Sequence, residues 1–349
     1  MSVVQTMRAV RITEHGGPEV LERVEVAVPA LEPGEVLIRV SAVALNNTDL
    51  WTRQGAYGSP TDPTALSGWR GPLDFPRIQG ADVTGTVVAV GADMDESLLG
   101  RRVVVDPVIY DADGPDANPV GLMGSERDGG YAEYVTAPAT RVHDVTGSRL
   151  TDDQLAALPT AYGTALGMIE RGRLTATETV LVSGASGGVG IALVQLARAR
   201  GAMVIAISSG SKIDAVRAAG AHAVVDRAGG IAEQVHAAAP QGIDVALDVV
   251  AGDLVSEGLP LLREGGRWVI AGALGGYGVS FDVRRLYLHN AQLIGSTMHT
   301  PAHFDLLMDM ARRSEIHPVI AATFPLDQAA QAQEQLARRT HVGKIVLHP

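Results

Sequence analysis

One glycine-rich segment constrains the fold of this chain more than any other. It reads Gly184-Ala185-Ser186-Gly187-Gly188-Val189-Gly190, follows a predicted buried strand at 179–183, and opens a window with apolar residues at helical spacing. A strand that passes through glycines directly into a helix is typical of a dinucleotide-binding βαβ unit. Glycine permits the tight turn and the close approach of a pyrophosphate, and the helix N-terminus offers free N–H groups to it.

The segments around this turn alternate between strands and helices. Strands are predicted at 179–183, 203–207, 223–225, 243–249, 267–271 and 292–295, with helical windows between most of them. This alternation predicts an α/β Rossmann domain with a doubly wound parallel sheet over residues 157–296. Residues 1–156 show short strands bounded by Gly and Pro, with irregular loops at 58–76 and 111–128. The tail, 297–349, is expected to pack back on this first domain.

The dinucleotide prediction assigns cofactor contacts to three strand ends. The first set lies in the glycine-rich turn: Gly184, Ser186, Gly187, Gly188, Val189 and Gly190. The second is Val249, at the end of the fourth strand. The third follows the fifth strand and comprises Gly272, Ala273 and Leu274, for which a plain turn is the alternative interpretation.

The end of the second strand indicates which dinucleotide binds. NAD-specific Rossmann folds place a carboxylate there to hold the ribose hydroxyls. This chain instead has Ser208 and Ser209, followed by Lys212, and Arg227 follows the third strand. Because cations and hydroxyls attract a 2′-phosphate, the pattern predicts NADPH in preference to NADH. The alternative for Lys212 is a solvated residue in the first turn of a helix.

Composition excludes several classes of partner. The net charge of −11 argues against binding to nucleic acid or to an anionic membrane. The chain has no cysteine, which excludes disulfides and thiolate zinc sites. No apolar run approaches the roughly 18 residues of a membrane helix, and the N-terminus lacks the apolar core of a signal peptide. We therefore expect a soluble cytoplasmic protein.

Over nearly its whole length the chain resembles the medium-chain dehydrogenase/reductase superfamily, and within it the zinc-independent, zeta-crystallin-like quinone oxidoreductase branch. The matching segments are residues 7–10, 15–21, 33–38, Asn46 with Asp49, 129–134, 158–162, the glycine-rich turn, 220–221 and 343–347. The resemblance implies a GroES-like, mostly β catalytic domain formed by residues 1–156 and the tail, with the cofactor in the cleft between the domains. It also implies that Lys212 contacts the 2′-phosphate, and Lys344 is assigned to the cofactor site.

The resemblance also indicates that zinc is missing. Zinc-dependent relatives place ligands in segments that match residues 46–49, Ala81 with Asp82, and a position near Ala156, and they carry a four-cysteine lobe within 107–128. A catalytic zinc needs three protein ligands, so we predict no metal. Alcohol oxidation then loses its usual Lewis acid, whereas reduction of a quinone or a conjugated carbonyl does not require one.

We therefore predict a reductase that passes hydride from NADPH to a quinone or an activated double bond. Asn46 is the first candidate donor to the oxyanion, although it also fits a turn residue. Asp49 and Thr160 complete the catalytic set, with Thr160 against the nicotinamide. Trp51, Tyr57 and the 58–76 loop are expected to cover the small-molecule acceptor.

Two other functions are compatible with these residues. One is a zinc-free alcohol dehydrogenase that uses Asp49 or Tyr57 as its acid. The other is an NADPH-binding protein without enzymatic activity, because fold alone does not establish chemistry. As in relatives, the strand at 292–295 is expected to pair across a two-fold axis and form a homodimer.

Overall fold

The computed structural model describes residues 5–59, 61–62, 64–92 and 94–349. Pro60 and Pro63 of the 58–76 loop lie outside the described residues. The chain forms two compact units. The first unit comprises Met1–Thr160 and Phe304–Pro349, and the second comprises Ala161–His303.

The regular elements follow one another in three groups. The first group contains β1 (Thr6–Ile12), β2 (Leu21–Ala27), β3 (Glu35–Ala44), α1 (Asn47–Gln54), β4 (Arg77–Ile78), β5 (Asp82–Val90), β6 (Arg102–Val105), β7 (Val108–Tyr110), β8 (Pro119–Leu122), β9 (Tyr134–Pro138), β10 (Val142–Asp144) and α2 (Asp152–Ala156). The second contains α3 (Pro159–Arg171), β11 (Thr179–Val182), α4 (Gly188–Ala199), β12 (Met203–Ser208), α5 (Ile213–Ala218), β13 (Ala223–Asp226), α6 (Ile231–Ala238), β14 (Ile243–Asp248), α7 (Asp253–Gly258), β15 (Leu262–Ile270), α8 (Arg284–Tyr287) and β16 (Gln292–Gly295). The third contains α9 (Pro301–Arg312), β17 (Ile320–Pro325), α10 (Ala329–Arg338) and β18 (Lys344–His348).

The second unit is built on a six-stranded sheet with the order β13-β12-β11-β14-β15-β16. Every neighbouring pair is parallel. This is the strand order of a Rossmann fold, so the predicted doubly wound sheet is confirmed. Every residue of the central strand β14 is buried, as expected for a parallel strand covered on both faces. The order places the ends of β11 and β14 side by side, at the edge of the sheet where ligands bind in this fold.

The first unit is mostly β, as predicted. Its largest sheet has seven strands in the order β10-β6-β5-β3-β18-β17, with β9 also paired to β3. The tail contributes directly to this sheet because β18 pairs antiparallel with β3, with Val346 opposite Ala44. Residues 304–349 therefore complete the first unit through backbone hydrogen bonds as well as side-chain packing.

Strands β8 and β17 lie in segments for which no strand was predicted. The 111–128 segment, predicted as irregular, contains β8, which forms a hairpin with β7. Its strand character is carried by only four residues beginning at a proline, so the sequence shows little alternation. In the tail, β17 pairs in parallel with β18 and was not predicted. The 58–76 loop contacts the segment just after β8: the Trp69 and Arg70 N–H groups donate to Ser125 Oγ at 3.1 Å and to Glu126 Oε1 at 2.9 Å.

Candidate functional site

The glycine-rich turn of the second unit connects β11 to α4. Gly184 has a φ of +55°, in the left-handed region that favours glycine. Glycine has no Cβ atom; if Gly190 carried one, it would lie only 2.1 Å from Gly184 O. The start of the helix therefore packs directly against the backbone of the turn. Gly187 precedes the helix and is exposed, and the first N–H groups of α4 have no partner within the helix. Exposed N–H donors at a helix N-terminus fit a pyrophosphate.

The ends of the neighbouring strands meet this turn. A Cβ atom on Gly184 would lie 2.9 Å from Val249 Cγ2, and one on Gly272 would lie 2.8 Å from Val249 O. The Leu274 N–H group donates to Val249 O at 3.4 Å. The structure therefore brings Gly184, Val249, Gly272 and Leu274 together, although they are far apart in the sequence.

A buried carboxylate that sequence reasoning missed holds this edge of the sheet in place. Asp248, at the end of β14, has no exposed surface. Its Oδ1 atom accepts hydrogen bonds from Ser183 Oγ at 2.5 Å and from the Val250 N–H group at 2.8 Å. Its Oδ2 atom accepts one from Trp268 Nε1 at 2.9 Å. The only sequence signal was an acidic residue at the end of an otherwise buried strand.

Two cations converge beyond the end of β12. Burial and, after it, the nearby Arg227 guanidinium lower the pKa of Lys212, which indicates that the two side chains lie close together. The Arg227 N–H group donates to Ser208 O at 2.9 Å. The hydroxyl of Ser208 is buried and has no hydrogen-bond partner among the described residues. Ser209 precedes the 3-10 turn Gly210–Lys212. This group of cations and hydroxyls suits a phosphate.

The structure also places a carboxylate beside this group. Asp226, the last residue of β13, is the register partner of Ser208. A Cβ atom on Gly210 would lie 3.0 Å from Asp226 Oδ2. Sequence reasoning missed this residue because it looked for a carboxylate only at the end of β12 and took Arg227 alone from the end of β13.

A second polar cluster lies inside the first unit, around the buried carboxylate of Asp82. Asp82 Oδ1 accepts a hydrogen bond from the Thr160 N–H group at 2.8 Å. Its Oδ2 atom accepts hydrogen bonds from Asn46 Nδ2 at 2.9 Å and from Lys344 Nζ at 3.1 Å. The side chain of Lys344 is 4% exposed and that of Asp82 is not exposed at all. The structure thus joins Asn46, Thr160 and Lys344, which the sequence singled out, through a residue that it had considered only as a metal ligand.

Asn46 is engaged on both sides of its amide. Its Nδ2 group donates to Asp82 Oδ2 and, at 3.3 Å, to Ala44 O, while its Oδ1 atom accepts a hydrogen bond from Lys344 Nζ. Its backbone N–H group donates to Asp49 Oδ2 at 2.7 Å at the start of α1. Both donor directions of the Asn46 amide therefore point to protein acceptors.

Asp49 is a buried acid in the same part of the first unit. Burial raises its pKa to about 7, opposed in part by the hydrogen bond from the Asn46 N–H group. Tyr131 lies nearby; burial raises the pKa of its hydroxyl well above the usual value, and the charge of Asp49 adds to this. The Asp49 carbonyl oxygen accepts a hydrogen bond from Gln79 Nε2 at 2.8 Å. Asp49 is 3% exposed and so lies within the domain interior.

The raised pKa of Asp49 predicts a pH-dependent stability. The folded state binds this proton up to about pH 7, whereas the unfolded chain loses it near pH 4. The free energy of unfolding should therefore fall by a few kcal/mol as the pH rises from about 4 to above 7. Asp49→Asn should remove most of this fall, measured by urea denaturation across the pH range. Asp214→Asn, at a side chain that is 99% exposed, is the matched control. Parallel wild-type and Asp49→Asn curves would contradict the assignment.

The predicted acceptor residues occupy the same region of the first unit. Trp51 and Tyr57 pack edge to face, with ring centroids 5.5 Å apart. Trp51 also packs against the hydrophobic core of the first unit. The hydroxyls of Thr48 and Thr160 are buried and have no hydrogen-bond partner among the described residues. Thr48 was missed because a threonine in the first turn of a helix gives no distinctive sequence signal.

Comparison with known proteins identifies the family. The alcohol dehydrogenase GroES-like domain model matches residues 32–147, and the zinc-binding dehydrogenase model matches residues 188–313. The quinone oxidoreductase of Homo sapiens is 32% identical over 355 residues, which covers 98% of this chain and 97% of the relative. The chain belongs to the medium-chain dehydrogenase/reductase superfamily. The predicted family and GroES-like domain are confirmed, and this superfamily member is an oxidoreductase.

Solved structures agree with this assignment. A protein of Sinorhizobium meliloti 1021, provisionally described as an alcohol dehydrogenase, is 46% identical, with a TM-score of 0.96 over 100% of this chain and 98% of that chain. The 2-octenoyl-CoA carboxylase reductase CinF, solved with NADP and 2-octenoyl-CoA, is 26% identical, with a TM-score of 0.87 over 99% of this chain and 88% of that chain. In the described part of this dehydrogenase/reductase, every helix is too short or too polar to cross a lipid bilayer.

The description of one matching model implies zinc, but the side chains do not fit it. Within the described residues, no three His, Cys, Asp or Glu side chains are grouped so that they could hold a metal ion. Asp82 is already bonded to Thr160, Asn46 and Lys344, and Ala81 and Ala156 offer no side-chain ligand. The Asp82 carboxylate, which the family resemblance matches to a zinc-ligand segment, is therefore already paired with an ammonium group.

Proposed function

We propose that this enzyme is an NADPH-dependent, zinc-independent reductase of quinones or conjugated carbonyl compounds. The observation that carries the proposal is the cluster around Asp82, which offers the Lys344 ammonium group and Thr160, whose hydroxyl has no partner among the described residues, in place of a metal-ligand set. The identity of 32% to a quinone oxidoreductase supports the acceptor class. The CinF complex with NADP and an unsaturated acyl-CoA supports the cofactor and the alternative acceptor.

Several residues of the second unit would hold the cofactor. The turn Gly184–Gly190 would bind the pyrophosphate, and Lys212 with Arg227 would bind the 2′-phosphate. When bound, the nicotinamide supplies hydride to an electron-poor carbon. The carbonyl oxygen gains the displaced electron pair and then takes a proton from solvent, so that no metal and no buried acid is required.

The direct test is rapid-mixing oxidation of NADPH by 1,4-benzoquinone and by a simple enone. We expect turnover with at least one of them, and NADPH to be used more efficiently than NADH. Absence of turnover with both acceptors would reject the proposed acceptor class. The second candidate function is alcohol oxidation, which the description of the Sinorhizobium meliloti protein favours. Assays with NADP⁺ and a panel of alcohols would detect it.

We further propose that the enzyme is a homodimer joined through β16. This strand forms an edge of the six-stranded sheet, and an unpaired edge invites pairing with another chain. Exposed apolar side chains lie in β16 and in the segment that precedes it: Val283, Tyr287, Leu288 and Leu293 are 62%, 63%, 61% and 37% exposed. An apolar patch of this kind marks an interaction surface.

Leu293→Lys should convert the dimer to a monomer, because it places a charge within the paired strands. Light scattering after size exclusion would measure the mass of each variant. Leu306→Lys, at a leucine of the first unit that is 40% exposed, is the matched control and should remain dimeric. A monomeric wild-type protein at micromolar concentration would rule out the dimer.

A further inference from the structure

Lysine is almost absent from this chain. Of its 28 basic Lys and Arg residues, only Lys212 and Lys344 are lysines. The guanidinium of arginine is a wide planar fork, whereas the ammonium of lysine is a compact charge with three rotatable donors. This chain uses arginine at all other cationic Lys or Arg positions and lysine only at these two. Lys212 lies beside Arg227 in the second unit, and Lys344 lies in the interior of the first.

The ammonium group of Lys344 is fixed by two neighbours. Nζ lies 3.1 Å from Asp82 Oδ2 and donates to Asn46 Oδ1. Asp82 is in turn held by the Thr160 N–H group. A buried charge is tolerated only where it is paired and hydrogen-bonded, and this arrangement gives the ammonium a defined position.

The third N–H bond of Lys344 has no partner among the described residues. An ammonium group carries three donors, and two of them point to Asp82 and Asn46. The hydroxyls of Thr160 and Thr48 are also buried without a partner in the described part of the chain. Thr160 is bonded to Asp82 through its backbone N–H group, so the residue that carries one of these hydroxyls belongs to the same cluster as Lys344. Asn46 and Thr160 keep 8% and 9% exposure, which shows that the cluster is not sealed.

We propose that Lys344 is a catalytic residue that binds the carbonyl oxygen of the acceptor through its third N–H bond. This inference rests on the proposed function and deepens it. As hydride reaches the acceptor carbon, the new C–H bond forms and an electron pair moves onto the oxygen, while the nicotinamide is oxidised. The ammonium stabilises this oxyanion and stays protonated, and solvent later supplies the proton. Asp82 is a positioning residue, because it acts by orienting Lys344.

Kinetics distinguish this role from cofactor binding. With NADPH and 1,4-benzoquinone, Lys344→Met should lower kcat about 100-fold or more, as for loss of an oxyanion donor. The KM for NADPH should change less than about 3-fold, because the substitution is not expected to alter the binding of NADPH before the reaction. Methylammonium should restore part of the kcat of Lys344→Ala, whereas tetramethylammonium, which has no N–H donor, should not. Unchanged kcat in Lys344→Met would overturn the proposal, as would rescue by both cations.

An equilibrium measurement separates this proposal from the proposed function. 4-Nitrophenol added to the enzyme loaded with NADP⁺ should bind as the coloured phenolate, an oxyanion mimic, in the wild type and not in Lys344→Met. If the phenolate binds in a Lys344-dependent way but no acceptor is turned over, the proposed function is rejected and the role of Lys344 as an oxyanion donor is kept. No phenolate binding by a wild type that reduces acceptors would reject the inference alone. If both Lys344 variants fail to fold, Asp82→Asn keeps the ammonium and should weaken phenolate binding, and unaltered binding would count against the proposal.

Discussion

Gly190→Ala is expected to destabilise the second unit and to abolish dinucleotide binding. The added Cβ atom would lie 2.1 Å from Gly184 O and 2.6 Å from Ala185 Cα. Both are backbone atoms, so no side-chain rotation can relieve the contact, and the start of α4 must move away from the turn. Overpacking of this kind costs roughly 1–3 kcal/mol, and more where the backbone resists. Thermal unfolding and NADPH fluorescence titration would measure the two effects.

Gly187→Ala is the matched control for this prediction. The nearest atom to a Cβ at Gly187 is Gly184 O at 3.5 Å, and its φ of −79° suits any residue. This variant should keep the wild-type melting temperature. Gly187→Ala should nevertheless bind NADPH more weakly than the wild type does, because its added methyl group would project beside the exposed helix N-terminus, where the pyrophosphate would lie. Wild-type stability and affinity in Gly190→Ala would show that the turn does not cradle the cofactor.

Lys212→Met should change cofactor selectivity more than any other single substitution outside the turn. A charge-assisted hydrogen bond to a phosphate contributes about 1.5–3 kcal/mol, so kcat/KM for NADPH should fall roughly 10- to 100-fold. The value for NADH should change little, because NADH carries no 2′-phosphate. Steady-state kinetics with both cofactors and one acceptor would measure the ratio.

The neighbours of Lys212 provide the controls. Arg227→Met should lower NADPH selectivity in the same direction, because its charge lies close to that of Lys212. Asp226→Asn should raise it, because the carboxylate beside Gly210 repels a 2′-phosphate. If Lys212→Met lowered kcat/KM equally for NADPH and NADH, this lysine would instead contact a part of the cofactor that the two share.

The Rossmann half of the fold was predictable because its signals are local. Each strand is an apolar run followed by a helical window, and the glycine-rich turn marks the first crossover. Predicted and observed strands in this unit differ mainly at their ends. The strand β15, for example, begins at Leu262, whereas the apolar pattern begins at Trp268, because Glu264, Gly265 and Gly266 carry no strand signal.

The candidate site in the first unit was only partly predictable because it depends on contacts distant in sequence. Asn46 and Lys344 are 298 residues apart and still share a hydrogen bond. Their meeting depends on the pairing of β18 with β3, which no local pattern encodes. The sequence singled out Asn46, Thr160 and Lys344 separately, and Asp82 was the link that it could not supply. Asp226 was missed in the second unit for the same reason.

The scarcity of lysine has a practical consequence for handling this enzyme. Reagents that acylate or reductively alkylate amines find only two side chains, and Lys344 is largely shielded by Asp82 and Asn46. Among side chains, dyes and solid supports coupled through amines will therefore attach at Lys212, in the region proposed to hold the 2′-phosphate. Such immobilisation should block the enzyme unless NADPH is present during coupling, whereas carboxylate-directed coupling should leave it active.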